Sequence, residues 1–168
     1  MNNEWLKDLQ RKYSTKGILL DTNLLLVLLI GGVDRQRVGK FKRTADFGED
    51  TFDVLVEFLQ AFEKKVTTPH VLTEVSNLAS SLYGDDRKLF FHAFRTFVMN
   101  SQEVSIPSAE AVIDENLAAF GLTDTIILSE AAGKYLLITT DLALKSMFES
   151  TGGDALGIGY LLERRWGF

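Results

Sequence analysis

The chain has 168 residues, 46% of them hydrophobic and 24% charged, with two prolines and a net charge of −5. That length and balance predict one globular domain, exclude a disordered or low-complexity chain, and lack the strong basicity that by itself points to nucleic acid. No cysteine and only two histidines, His70 and His92, exclude disulfides, thiolate chemistry and Cys- or His-rich metal sites, so any metal must be held by oxygen, the donor that Mg²⁺ and Mn²⁺ select.

Trp5, Leu6, Leu9 and Tyr13 recur at helical spacing and predict a short amphipathic helix. Residues 1–16 read as an N-terminal helical extension and 17–168 as the main domain. Gly17 breaks the first helix, and Ile18-Leu19-Leu20 reads as a short buried strand. The run 24–30 (LLLVLLI) is too long and Leu-rich for a second strand; it predicts a buried helix ended by Gly31-Gly32. Residues 33–50 are the least hydrophobic stretch and read as an exposed basic insertion carrying Arg35, Arg37, Lys40, Lys42 and Arg43.

An amphipathic helix is predicted over 51–65, then a β-branched strand over 66–68 stopped by Pro69. Helices follow at 72–82 and 86–100, the latter rich in Phe, and a short strand at 103–106 precedes Pro107. Helices at 108–119 and 123–133, the second with Thr123 as its N-cap, lead to a strand at 135–140, a helix at 141–149 and a last strand at 155–158. Five strands alternating with helices predict an α/β fold with a mostly parallel sheet, whose ligands gather beyond the carboxyl ends of the strands.

Four acids fall at telling places. Asp21 and Asp141 directly follow predicted strands; Glu74 lies one turn into the helix after the 66–68 strand, and Asp124 in the first turn of the 123–133 helix. An acid at a helix start is often only a cap. Asp21 is harder to read that way, because it lies between two apolar segments and a buried Asp needs a partner. Converging carboxylates repel, and a divalent cation removes that penalty. On spacing alone, cap and ligand are about equally good readings.

The segments ILLDTN (18–23), TPHVLTEVSN (68–77), GLTDTIIL (121–128) and LLITTDLAL (136–144) resemble, in that order, the motifs of the PIN domain family. The resemblance runs from about Gly17 to Ile158. It implies a three-layer α/β/α Rossmann-like PIN fold, with a five-stranded parallel sheet of order 3-2-1-4-5. It also implies a nuclease dependent on Mg²⁺ or Mn²⁺, an endoribonuclease that hydrolyses RNA phosphodiester bonds by metal-activated water. Asp21, Glu74, Asp124 and Asp141 match the family's acidic metal-binding and catalytic positions. Asn23 and Thr140 match polar positions that orient the ligands. The products would carry a 5′-phosphate.

Partners implied by the resemblance are RNA, single-stranded rather than DNA, an antitoxin protein if the chain is a toxin-type member, and a second copy in a homodimer. The insertion at 33–50 is longer than in short toxin-type members. Its five bases either clamp a nucleic-acid backbone or form a solvated face. Arg164, Arg165 and Trp166 offer charge and a stacking ring, or simply dock the chain end. Asp154, after Gly152-Gly153, reads as a turn residue rather than a further site acid.

Competing classes are less well matched. A HAD-type phosphatase needs a second acid two residues after the first, where Asn23 stands; no phospho-acceptor Asp follows a middle strand, as a receiver domain requires; and the P-loop pattern is absent. A non-catalytic PIN-like module that binds RNA or protein is the alternative from another class. With no secretory signal in 1–16 and a longest apolar run of seven residues, a cytoplasmic protein with no membrane partner is expected.

Overall fold

A computed structural model describes residues 3–165. Five short parallel strands form one sheet: β1 (Ile18–Leu20), β2 (Lys65–Thr67), β3 (Ser101–Glu103), β4 (Leu136–Thr139) and β5 (Asp154–Gly157). Their order is β3-β2-β1-β4-β5, as expected. Leu19 is in register with Val66 on one side and Leu137 on the other. Chain order runs outward from β1 in both directions, and right-handed crossovers then place helices on both faces, giving three α/β/α layers. β1 and β4 are buried along their whole length, as parallel strands covered on both faces must be.

The helix α1 (Asn3–Tyr13) buries Leu9 and Tyr13 in the core. The Tyr13 hydroxyl donates to Asp154 at 2.8 Å, and Trp5 meets Tyr160 edge-on, so α1 is stitched to the C-terminal end of the domain. The Leu-rich run forms α2 (Thr22–Val33), apolar on every side and almost wholly buried.

The expected stop at Gly31-Gly32 is corrected: α2 runs through both glycines and ends only when the Asp34 N–H bonds the Ile30 carbonyl. Gly31 serves a close approach rather than a cap, since a Cβ there would lie 2.3 Å from the Phe52 ring. Residues 33–50 are likewise not simply a loop. Residues Arg35–Arg37 form a 3₁₀ turn, and Val38 and Thr44 are buried beneath the segment, where the Thr44 hydroxyl bonds the Val38 carbonyl at 2.7 Å.

The next helix, α3 (Glu49–Leu59), stops six residues short of its predicted end at 65. Pro69, expected only to stop β2, also opens α4 (Pro69–Leu78), where its missing N–H costs nothing and Thr68 caps the Val71 N–H at 3.2 Å. The Phe-rich helix is α5 (Gly84–Met99): Phe90 is fully buried and Phe91, Phe94 and Phe97 pack partly against the core.

β3 lies at 101–103 rather than 103–106. It is the sheet edge, where polar side chains suffice, so the apolar Val104 and Ile106 misplaced it. The predicted helix 108–119 is only a single turn, α6 (Ser108–Ala111). A longer helix, α7 (Leu117–Ala131), follows, with a sharp break at Gly121 (φ 75°, ψ 175°). That conformation suits glycine alone, and it redirects the chain just before Asp124. The chain closes with α8 (Leu142–Ser150) and with α9 (Ile158–Arg165), which packs on α3. Trp166 lies outside the described residues. Among them, no helix is long and apolar enough to cross a membrane.

Candidate functional site

Asp21 leaves β1 at its carboxyl end and caps α2. Only 5% of it is exposed, and both its oxygens are engaged. Oδ1 accepts the Leu24 N–H at 2.8 Å; Oδ2 accepts the Thr139 hydroxyl at 2.6 Å, the Thr140 N–H at 2.7 Å and the Thr140 hydroxyl at 3.2 Å. Burial pushes this carboxyl above its ordinary range, and the four hydrogen bonds oppose that push.

Asp141 leaves β4 at the same edge of the sheet. Its Oδ1 accepts the Ala143 and Leu144 N–H groups at 2.7 and 2.9 Å, so it is a helix cap as well as a site acid. Its own N–H donates to the Thr139 hydroxyl at 2.9 Å, and Thr139 therefore joins the two acids on either side of the β1/β4 junction. This junction is where strand order reverses, the usual place for a ligand crevice in an open α/β sheet.

Glu74 projects from α4. Its two oxygens accept the Thr22 hydroxyl at 2.8 Å and the Thr123 hydroxyl at 2.6 Å. Thr123, expected to cap a helix, instead lies inside α7 and spends its hydroxyl on Glu74. The Asp124 carboxyl is pushed up to about 6, first by burial and then by the negative charges of Asp21, Glu74 and Asp141.

All four acids line one cleft of about 180 Å³, together with Thr22, Asn23, Leu78 and Leu144. No Lys, Arg or His is among these lining residues. Asn23 lines the cleft and donates to the Thr140 hydroxyl at 3.5 Å, while Thr140 itself stands behind it on Asp21. The structure thus brings to one cleft the four acids that the sequence singled out as site residues.

Among the described residues, no group of three or more His, Asp or Glu side chains is disposed to enclose a metal ion. Asp21 and Glu74 each accept hydrogen bonds on both carboxylate oxygens, from hydroxyl and amide donors. The donor chemistry nevertheless fits a hard divalent cation. Mg²⁺ keeps several waters and is commonly bound through one or two carboxylates plus substrate phosphate, so an all-protein cage is not required. Asp124 and Asp141 are the acids left with most capacity for it.

The basic segment is deployed differently. Arg35 forks onto Asp53 at 2.8 and 2.7 Å and also pairs with Glu49; Arg37 pairs with Asp34 and Asp86. These two arginines tie the segment to α3 and α5. Lys40, Lys42 and Arg43 are exposed and make no ion pair among the described residues. Asp154 sits at the amino end of β5, opposite the acid edge, where Lys12 and Tyr13 hold it at 2.6 and 2.8 Å. His92 is exposed, and His70 half-buried.

Sequence reasoning missed Thr22, Thr123 and Thr139. Each stands next to a residue already singled out, but its hydrogen-bond partner lies 49 to 118 residues away. Comparison of the chain with protein-family models, with curated proteins and with solved structures finds no match.

Proposed function

We propose that this protein is a divalent-metal-dependent nuclease of the PIN kind, an endoribonuclease that hydrolyses RNA phosphodiester bonds. One observation carries the reading: acids from four separate segments line a single cleft beside the β1/β4 junction, with no base among the lining residues. Four carboxyl groups so placed are costly to ionise together without a positive charge nearby. A bound Mg²⁺ or Mn²⁺ supplies charge relief on the phosphoryl oxygens and activation of water.

The chain's own residues divide the remaining work. Asp21 is a buried carboxyl at the cleft, held in one orientation by four donors. Asp141 shares its carboxylate with the start of α8 and holds that charge in place. Asp124, whose proton is lost near pH 6, becomes a charged ligand at neutral pH. Lys40, Lys42 and Arg43 remain available for a phosphate backbone, whereas Arg35 and Arg37 are engaged by carboxylates of the chain itself.

The test is cleavage of generic single-stranded RNA by the purified protein with Mg²⁺ or Mn²⁺, with and without EDTA, alongside Asp124→Asn. Cleavage that needs the ion, leaves 5′-phosphate ends and is lost in the variant supports the reading. RNA binding without cleavage favours the non-catalytic module, and equal cleavage by D124N contradicts the assignment of the site.

A further inference from the structure

Glu74 is the one site acid held entirely by hydroxyl groups, and both come from residues adjoining another site acid. Thr22 follows Asp21 and Thr123 precedes Asp124. Their hydroxyls donate to opposite oxygens of the same carboxylate, at 2.8 and 2.6 Å, across 52 and 49 residues of chain. The carboxylate, on a solvent-exposed residue, is thereby held from two sides.

Hydroxyl-to-carboxylate bonds of this length are charge-assisted and stronger than neutral ones. They also supply what the cleft lacks: attraction for a negative charge beside three others, without a competing cation. The start of α2, the first turns of α4 and the redirected segment of α7 after Gly121 meet at this one side chain.

We propose that Thr22 and Thr123 are positioning residues that hold Glu74, and through it the Asp21 and Asp124 segments, in the arrangement that receives the divalent ion. The inference rests on the metal-dependent reading above and adds two residues that carry no charge and no ligand role of their own. Groups that orient metal ligands from behind typically contribute 10- to 100-fold in metal affinity. Valine keeps the shape of threonine and removes the donor; serine keeps the donor.

The experiment is Mn²⁺ titration of the intact protein by calorimetry, with thermal unfolding in EDTA as the check on folding. The expected result is Mn²⁺ affinity lower by about 10-fold or more in T22V and T123V, with most of it restored in T22S and T123S. In a Glu74→Gln background the same Val substitutions have little further effect, because the hydroxyls act through that carboxylate. Undiminished affinity in both folded Val variants overturns the proposal, as does an equal loss in the E74Q background. If either Val variant does not fold, the parent and Ser variants compared with E74Q T22S and E74Q T123S decide: Ser variants that bind no better than E74Q overturn it. A parent protein that binds no Mn²⁺ removes the metal-dependent reading itself, a different failure from a parent that binds while its variants are unaffected.

Discussion

The Thr139 hydroxyl donates to Asp21 Oδ2 at 2.6 Å, between two residues that are both buried and 118 positions apart. The same hydroxyl accepts the Asp141 N–H at 2.9 Å. A neutral side chain at the end of β4 therefore sets the geometry of two acids, one from each central strand. Removing it takes one of three donors from the buried Asp21 Oδ2 and leaves the Asp141 N–H without its acceptor. Thr139→Val is expected to cost roughly 1–3 kcal/mol, read as a lower urea midpoint at neutral pH, because an unsatisfied buried group forfeits its full desolvation penalty. An unchanged midpoint would mean that the Asp21 network is not under tension from burial.

Asp124 gives a pH signature in the metal-free protein. Its carboxyl is raised from 3.8 to about 6. Between about pH 4 and 6 the folded state keeps a proton that the unfolded chain has already released. Stability therefore falls as pH rises through that window, and the penalty is complete above it. Asp124→Asn lacks the penalty. In EDTA, D124N is expected to be more stable than the parent at pH 7–8, on the order of 1 kcal/mol once solvent screening of a part-exposed carboxyl is allowed for. The difference should vanish near pH 4. A constant offset across the range would contradict the charge crowding.

Metal binding should appear as stabilisation. An ion that binds only the folded state adds about 2.7 kcal/mol when present at 100 times its dissociation constant. Thermal unfolding in Mn²⁺ should therefore shift upward in the parent, and far less in Asp124→Ala. An equal shift in both proteins would place the ion elsewhere.

The two adjacent glycines of α2 should respond in opposite directions. Gly31→Ala forces a Cβ to within 2.3 Å of the Phe52 ring and is expected to destabilise by about 1–3 kcal/mol. Gly32 has nothing within 4 Å of its Cβ position, and Gly32→Ala should stabilise by up to about 1 kcal/mol through helix propensity. Chemical denaturation of the two variants side by side checks the pair.

That contrast also marks how far the sequence was legible. Ile18-Leu19-Leu20 was readable as β1 because an apolar triplet between a glycine and polar residues has few other uses, and the sheet order followed the PIN resemblance. Gly31-Gly32 was misread because a glycine required by a neighbouring ring looks the same in sequence as one that ends a helix. β3 was displaced by two residues because an edge strand needs no apolar pattern.

The acids were legible as a set through the four motifs that resemble the PIN family, since on spacing alone cap and ligand were equal readings. Their threonine supports were not, since a hydroxyl's partner 49 to 118 residues away leaves no local trace. The basic run was legible only as charge: whether Arg35 and Arg37 face solvent or Asp53 and Asp86 depends on where α3 and α5 pack.

The account turns on whether one ion can draw these four acids into shared use. Anomalous diffraction from crystals soaked in Mn²⁺ measures that directly. The predicted result is a peak in the cleft between Asp21, Glu74, Asp124 and Asp141; a peak elsewhere, or none at saturating Mn²⁺, would contradict it.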